Sequence, residues 1–339
     1  MKTLKLAILG YGNAGRAYGR LLASKMPEIR EKYDTEVMVS AIAAKTKGSI
    51  VCPEGLDLAK IESDLANFGK FQGQAGMNAI EVAEKAEYDV LLELTPLEIF
   101  SGQPAIDHIK AALKRGKHVI SANKGPIAWA FRELRDMARD NGCLFFYETT
   151  VMDGAPLFNL VDETLKLCKV TEIKGILNST TNFILEELAK GTSYEDAVEE
   201  GKRRGFVEAD PSLDIEGWDA AAKITALMNV LMDAGISPKD VSRKGIEDIT
   251  AAQVADAGKR GKAIKLLCVG KLEDGKAKGC VCPCEIDKTD LLASVTGTSS
   301  VVSVTTDLMG TVSIVEHGPE IEQTAYGVFS DTLRVLDKL

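Results

Sequence analysis

The chain has 339 residues, of which 45% are hydrophobic and 27% are charged, and its net charge is −9. This length suits about two domains, since a domain usually takes ~100–200 residues. The acidic balance argues against a nucleic-acid partner, because phosphate binding needs clustered Lys and Arg. The sequence shows no secretory signal and no apolar run of the ~18 residues that a membrane span needs, so we expect a cytoplasmic protein.

The first predicted element is an apolar strand over residues 4–9, followed by a glycine-rich turn and a helix through Leu22. Glycines at this spacing allow a tight turn, close approach of the backbone to a pyrophosphate, and close packing of helix on strand. The motif is weak alone, but its strand-turn-helix context predicts a dinucleotide site rather than a chance turn. The predicted cofactor residues here are Gly10, Gly12, Asn13, Ala14 and Gly15.

The second strand, predicted over 36–44, ends where the adenosine ribose of a dinucleotide is read. An NAD-binding chain places Asp or Glu there, whereas this chain has Lys45 and Lys47. The missing acceptor and the two cations predict a preference for the 2′-phosphate of NADP. The alternative is that both lysines are solvated loop charges.

Strands and helices then alternate, which predicts parallel β-α-β units and a doubly wound sheet of the Rossmann type over residues 1–150. The further strands are predicted at 88–94, 117–121 and 143–148, and the helices near 56–67, 76–86, 102–115 and 126–140. Ligands bind beyond the carboxyl ends of such strands. The marked residues at these ends are Glu93, Thr95, Pro96, Ser121, Asn123, Lys124, Tyr147, Glu148 and Thr150.

From about residue 151 to 319 the pattern becomes a mixed α+β domain. The sequence predicts a helix at 154–167, a strand at 170–178, a helix ending before Gly191, and another near 193–204. Asp274-Gly275 is typical of a hairpin, and a second antiparallel pair follows it. The last helix, roughly 320–337, is amphipathic, and we expect it to pack back on the first domain.

An Ala-rich apolar helix carries Asp219 and Lys223, four residues apart and therefore on one face. An exposed ion pair worth about 0.3–0.5 kcal/mol is the simpler interpretation. The flanks hold almost no polar residues, however, which favours a buried face and a lysine whose pKa can be tuned at a functional site.

Several motifs occur in order: the glycine turn, SANKGPIA, YETTVMDGAP, GILNSTTNFIL and GFVEADPSLDIEGWDAAAKI. With these motifs the chain resembles homoserine dehydrogenase over most of its length. The resemblance implies reversible hydride transfer between NAD(P)H and aspartate 4-semialdehyde, giving homoserine for threonine and methionine biosynthesis. It also implies a homodimer formed through the second domain. The chain stops soon after the last helix, so we expect a short form without an ACT-type regulatory domain or a fused kinase.

The resemblance implies a role for individual residues. Lys223 and Lys124 match the family's catalytic lysine and its partner lysine, Asp219 matches the carboxylate at the reacting hydroxyl, and Glu208 matches the one that takes the substrate ammonium. Asp214 lies in the same motif. Independently, the helix start at Ser179, Thr180 and Thr181 suits the substrate carboxylate.

The resemblance also implies a monovalent cation such as sodium, held by backbone carbonyls in the segment that contains Glu148, Val151, Asp153 and Ala155. Thr95, Pro96, Asn123 and Lys124 match the residues that line the nicotinamide side. The chain departs from the family at Ser179 and Ser300, where Gly and Asn are usual, and over 316–325, where a Gly-Ala-Gly stretch is usual.

These departures leave open a different small hydroxy amino acid or semialdehyde as the substrate. A non-catalytic NADP-binding sensor is a separate alternative, and the presence of both Lys124 and Lys223 argues against it. A thiol-dependent acyl-forming dehydrogenase is a further rival, but neither Cys52 nor Cys143 has a His nearby in sequence. Cys280, Cys282 and Cys284 suggest a strand thiol cluster rather than a zinc site, because their spacing is wrong and no His lies near.

Overall fold

The computed structural model describes residues 1–73, 75–205 and 207–339, and the chain divides into two compact units. The first unit comprises Met1–Pro156 and Glu320–Leu339, and the second comprises Leu157–Pro319. Phe206, within the long motif that carries Glu208, lies outside the described residues. Among the described residues, none of the helices combines the length and the hydrophobicity that a membrane span needs.

The first unit is built on a six-stranded sheet in the order β3-β2-β1-β4-β5-β6. Its strands are β1 (Lys2–Leu9), β2 (Thr35–Ala44), β3 (Gly48–Val51), β4 (Val90–Glu93), β5 (His118–Ser121) and β6 (Phe145–Phe146). All neighbours are parallel except β2 and β3, which are antiparallel. This confirms the predicted Rossmann-type doubly wound α/β sheet.

Helices cover both faces of this sheet. They are α1 (Asn13–Tyr33), α2 (Leu58–Phe68), α3 (Ala79–Lys85), α4 (Ala105–Lys114) and α5 (Lys124–Asp140). Along β1, Leu6 and Ile8 pack in the core cluster with α1, while Ala7 and Leu9 pack in the cluster with α4. Because successive strand residues point to opposite faces, an apolar run such as LKLAIL is what a strand buried on both sides requires.

Three details of this unit differ from the predicted elements. Helix α1 continues well past Leu22, because Met26 and Ile29 extend the same buried face around Pro27. The strand predicted at 143–148 is only two residues long, since a short 3₁₀ turn over Glu148–Thr150 follows. The edge strand β3 was not predicted.

The second unit contains a sheet in the order β12-β11-β7-β9-β10-β8. Its strands are β7 (Val170–Ile176), β8 (Ser242–Arg243), β9 (Lys262–Glu273), β10 (Lys276–Asp287), β11 (Ser300–Thr306) and β12 (Gly310–Glu316). The pairs β9–β10 and β11–β12 are antiparallel, which confirms both predicted pairs, and the turn between β9 and β10 falls at Asp274 and Gly275. The second unit is therefore a mixed α+β layer, as predicted.

The helices of this unit are α6 (Leu157–Thr164), α7 (Ser179–Ala189), α8 (Tyr194–Arg204), α9 (Ser212–Ile215), α10 (Trp218–Leu231) and α11 (Ala251–Lys259). Helix α10 packs on β9 and β10. Gly270 and Gly279 make this packing possible, because a Cβ on either would lie 2.6 or 3.1 Å from the Met228 side chain. This packing fixes the second half of α10 to the sheet. Asp219 and Lys223 lie in the first half of the same helix.

The last helix, α12 (Ile321–Lys338), belongs to the first unit and packs against α1. The two helices share a buried hydrogen bond of 3.0 Å between the hydroxyls of Tyr18 and Thr332. Val328 and Val335, both fully buried, join the core cluster of β1 and α1. A segment from the end of the sequence thus completes a core that begins with the first strand.

Candidate active site

The glycine turn after β1 has the shape that a pyrophosphate requires. A Cβ on Gly10, whose φ is +90°, would lie 2.2 Å from the carbonyl oxygen of Leu94. A Cβ on Gly15 would lie 2.8 Å from the Gly10 carbonyl oxygen, so helix and strand pack closely there. At Gly12, among the described residues outside the adjacent chain, no heavy atom lies within 4 Å of such a Cβ. The turn is therefore closed at two glycines and open at the one a phosphate would approach.

Helix α1 begins at Asn13, next to this open space. Its N-cap is Gly12, which has no side chain to accept from the first N–H groups, and the first turn carries no acidic residue. The N–H groups of Asn13 and Ala14 belong to the start of the helix, where backbone donors have no intrahelical partner. A helix start of this kind is suited to bind an anion.

The two lysines predicted to read the 2′-phosphate lie in the turn between β2 and β3, and they differ in environment. The ammonium of Lys47 donates a 2.7 Å hydrogen bond to the carbonyl oxygen of Tyr11, within the glycine turn. Lys45 is exposed. Lys47 is therefore tied to the glycine turn and is more than a solvated loop charge.

The predicted nicotinamide residues come together at the carboxyl ends of β4 and β5. Asn123 caps helix α5, which begins at Lys124, and its side-chain amide donates to the carbonyl oxygens of Thr95 at 3.0 Å and Pro96 at 3.5 Å. The hydroxyl of Ser121 contacts the backbone of Asn123 at 3.1 Å. One asparagine thus connects two strand ends and the start of a helix.

In the second unit, the predicted pair on α10 is present. The ammonium of Lys223 lies 3.3 Å from the carboxylate of Asp219, and both side chains are less than one-fifth exposed. Lys223 also donates a 2.7 Å hydrogen bond to the carbonyl oxygen of Leu177. This lysine is therefore held in place at the end of β7, and the exposed-pair interpretation does not apply.

A second carboxylate joins this group through Asn178, the N-cap of α7. The Asn178 side-chain amide donates to Asp214 at 2.7 Å and to Asp219 at 3.0 Å. The hydroxyl of Thr180 donates to the other oxygen of Asp214 at 2.7 Å. Burial raises the pKa of Asp214, with the nearby Asp219 carboxylate adding to the shift, while Thr180, Asn178 and Lys223 oppose it. Two carboxylates and one ammonium thus share a partly buried polar group.

The remaining predicted substrate residues are less closely connected to this group. Thr181 gives its N–H and its hydroxyl to the Asn178 side-chain oxygen at 2.9 and 2.8 Å, so both of its donors are used within the cap. Ser179 is half-buried at the first position of α7. Glu208 lies between α8 and α9 and is exposed.

The segment predicted to hold a cation is hydrogen-bonded to α12. Asp153, with a left-handed φ of 38°, accepts a 2.7 Å hydrogen bond from the Thr324 hydroxyl. The N–H of Glu148 donates to Asp331 at 3.0 Å. Burial raises the pKa of Asp331 to about 6, against the lowering effects of that hydrogen bond and of Arg334.

The other two residues of this segment, Val151 and Ala155, are buried, and Ala155 closes the turn with an N–H bond to the Met152 carbonyl at 2.8 Å. Carbonyl oxygens in such an irregular, buried turn are the hard ligands that a monovalent or divalent cation of the alkali and alkaline-earth type takes. The donor set is therefore compatible with the predicted ion.

Two residues of these sites, Asn178 and Asp331, were missed by the sequence reasoning. Asn178 could have been noticed, since an Asn directly before a helix is a standard N-cap signal. Glu93 was marked as a strand end, but its complete burial is visible only in the structure. Asp331 lies far away in sequence within a helix, so nothing in the local pattern indicates its contact with Glu148.

The thiols of Cys280, Cys282 and Cys284 lie in a row along β10, with sulfur-to-sulfur distances of 3.5 and 3.4 Å. This confirms a strand thiol cluster. Within the described ranges, no three His, Cys, Asp or Glu side chains are arranged to hold a metal ion.

A dinucleotide turn on a doubly wound sheet, together with a partly buried lysine paired with a carboxylate, is the arrangement of an NAD(P)-dependent oxidoreductase acting on CH–OH groups. Two family models match the chain: "Homoserine dehydrogenase, NAD binding domain" over residues 10–148 and "Homoserine dehydrogenase" over 156–333. The chain belongs to the homoserine dehydrogenase family.

Individual relatives agree with this assignment. A homoserine dehydrogenase of Methanocaldococcus jannaschii is 36% identical over 337 residues, which cover 98% of each chain. An NAD(+)-dependent homoserine dehydrogenase of Pseudomonas canavaninivorans is 32% identical, with 99% of this chain and 97% of that protein covered. A solved structure of a hyperthermophilic archaeal homoserine dehydrogenase in complex with NADPH has a TM-score of 0.84 at 28% identity, covering 99% of this chain and 98% of that one.

Proposed function

We propose that this chain catalyses reversible hydride transfer between NADP(H) and a four-carbon amino acid, interconverting homoserine and aspartate 4-semialdehyde. The observation that carries this proposal is Lys223, held between Asp219 and the Leu177 carbonyl beside a second carboxylate. The family assignment supplies the reaction, and the geometry supports the chemical role that we propose for Lys223.

Reduction of an aldehyde develops negative charge on its oxygen. An ammonium beside that oxygen stabilises the charge and can donate the proton that completes the alcohol. Asp219, at 3.3 Å, orients Lys223 and compensates its charge between turnovers. In the oxidising direction the neutral amine accepts the same proton. When bound, NADP(H) supplies or accepts the hydride. Lys124, the partner lysine of the family pattern, remains a predicted second ammonium.

The ends of the substrate need opposite partners. We assign the substrate ammonium to Glu208, whose exposed carboxylate is available to a zwitterion. We assign the substrate carboxylate to the backbone N–H groups of Ser179 and Thr180 at the start of α7, where a helix favours an anion. Thr181 contributes through the cap rather than directly, because Asn178 takes both of its donors.

For the cofactor, we propose a preference for NADP over NAD. Lys47 is fixed to the Tyr11 carbonyl at 2.7 Å, so a cation lies beside the glycine turn in a chain with no acidic residue among positions 43–47. An acidic residue there would hold the 2′-hydroxyl of NAD. The exposed Lys45 adds positive charge within the same turn.

We further propose a homodimer formed through the second unit. One face of its sheet has Leu267 buried among the partly exposed apolar side chains of Cys284, Ile286 and Val315. The same face also has the exposed hydroxyl pair of Ser303 and Ser313, 2.7 Å apart. A half-buried apolar face of this kind suits a self-complementary contact about a twofold axis. The cytoplasmic location expected from the sequence stays a prediction.

The cation is the last element of the proposal. We propose that backbone carbonyls in the segment from Glu148 to Ala155 hold a monovalent ion such as sodium. Exchange of sodium for tetramethylammonium at constant ionic strength should then lower the rate of hydride transfer, and added sodium should restore it. Equal rates in both salts would remove the cation from the proposal.

The decisive experiment compares initial rates of oxidation for homoserine, serine, threonine and 4-hydroxybutyrate with NADP and with NAD. We expect homoserine with NADP to give the largest kcat/KM. A better rate with another hydroxy amino acid would favour the different-substrate alternative, to which Ser179 and Ser300 point. Tight NADP binding without turnover of any of them would favour the sensor.

A further inference from the structure

The carboxylate of Glu93 is fully buried in the cofactor-binding unit and has no part in the reaction described above. It lies at the last residue of β4 and is 0% exposed. One of its oxygens accepts from the N–H of Thr95 at 2.9 Å and also from the Thr95 hydroxyl. The other lies 2.7 Å from Nδ1 of His108, a residue of α4 that is 3% exposed. A buried charge is costly unless its environment is arranged to hold it, so this carboxylate calls for an explanation.

The position of Glu93 relates it to the cofactor. The next residue, Leu94, has the carbonyl that excludes any side chain at Gly10, so its peptide lies directly against the glycine turn. The residue after that, Thr95, has its carbonyl held by the Asn123 side chain at 3.0 Å. Glu93 therefore directly precedes the segment Leu94–Thr95, which contacts the glycine turn at Gly10 and the N-cap of α5 at Asn123.

The same peptide is the one expected to line the nicotinamide side, so the inference rests on the proposed function. The oxidised nicotinamide ring carries one positive charge and the reduced ring carries none. A fixed carboxylate behind the ring's expected site therefore interacts differently with the two forms, and burial keeps solvent from screening that difference. Replacing Glu93 by Gln removes the carboxylate and keeps a polar side chain of nearly the same size.

We propose that Glu93 is a specificity-determining residue for the oxidation state of the cofactor. Its carboxylate favours the oxidised over the reduced form, and it stabilises the positive charge that develops on the ring as hydride leaves for the aldehyde. Thr95 holds one carboxylate oxygen through its N–H and its hydroxyl, and Nδ1 of His108 lies 2.7 Å from the other oxygen.

The test is direct binding of NADP⁺ and NADPH to the full chain in the absence of substrate, by calorimetry and by NADPH fluorescence. In Glu93→Gln, the ratio of Kd for NADP⁺ to Kd for NADPH should rise about tenfold, because only the positively charged oxidised form loses the attraction of a buried, poorly screened carboxylate. Glu93→Asp, which keeps the charge, should restore most of the wild-type ratio. His108→Gln, which keeps the carboxylate and can still donate to it, is the matched control and should leave the ratio within about twofold.

An unchanged ratio in folded Glu93→Gln would overturn the inference, as would an equal loss of affinity for both forms, since either means that the charge does not discriminate between them. If the single variant does not fold, the double variant Glu93→Gln, His108→Gln carries the same charge test with a neutral hydrogen-bonded pair. A wild-type chain that binds neither NADP nor NAD would refute the proposed function instead, so the two failures are distinct.

Discussion

Replacement of Lys265 by Met should destabilise the second unit. Lys265 lies on β9, is 4% exposed, and gives its ammonium to the side-chain oxygen of Asn182 at 2.6 Å, the carbonyl of Val295 at 2.7 Å and the carboxylate of Glu186 at 3.3 Å. An ammonium has three donors, and here each has an acceptor. Burial lowers the pKa of this lysine, and the Glu186 carboxylate opposes that shift.

The size of the expected loss in unfolding free energy depends on which contacts Glu186 and Asn182 keep when Lys265 is replaced. Removing one member of a buried pair costs about 3–5 kcal/mol, because the other charge stays buried. Glu186 is one-fifth exposed and keeps the N–H of Gly297 at 3.0 Å, which lessens its loss. Asn182, by contrast, loses the ammonium from its side-chain oxygen. We therefore expect a loss at the lower end, about 3 kcal/mol in the free energy of unfolding.

Urea unfolding can isolate this unit by fluorescence. The chain has two tryptophans, Trp129 in the first unit and Trp218 in the second, so a Trp129→Phe background reports the second unit alone. Lys262→Met is the matched control on the same strand, because its pair with Asp287 at 2.8 Å is largely exposed and should contribute less than about 1 kcal/mol. Equal losses in the two variants would refute the reasoning, since burial would then make no difference.

Three further outcomes follow from the sites. Lys223→Ala should lower kcat by several orders of magnitude with little change in cofactor Kd; near-normal turnover in stopped-flow assays would remove Lys223 from the mechanism. Lys45→Glu combined with Lys47→Glu should weaken NADPH more than NADH in fluorescence titrations, and equal weakening would refute the 2′-phosphate assignment. The pKa of Asp214 is raised, so its contribution to stability is full below the ordinary carboxyl range and is lost as pH rises through the folded-state pKa. Asp214→Asn should therefore flatten that part of the pH dependence of unfolding, and a profile identical to wild type would contradict the shift.

Periodicity and turn chemistry predicted most of the fold. The strand before Gly10 and the hairpin at Asp274 and Gly275 both depend on local rules, a buried apolar run and a turn dipeptide, and both are present. Edge strand β3 was missed because four residues paired on one side leave little pattern in the sequence. Boundaries erred for a different reason, because tertiary packing extends α1 beyond the point where its local signal weakens.

The candidate site was less accessible to sequence reasoning. Asp219 and Lys223 are four residues apart on one helix, so their contact follows from helical geometry alone. Asn178 meets Asp214 across 36 residues and Asp331 meets Glu148 across 183, and no local rule specifies such pairs. The resemblance to a family pointed to Lys223 as the predicted catalytic lysine, but only the fold shows what holds it in place.

Helix α12 has a consequence for how the molecule is made. The ribosome releases β1 and α1 first, yet the helix that covers α1 and anchors Glu148 and Asp153 is translated only after the whole of residues 157–319. Until α12 has been synthesised, the apolar face of α1 around Tyr18 lacks the helix that buries it in the folded chain. The second unit, contiguous in sequence, can complete its structure during synthesis, whereas the nucleotide-binding half is finished last.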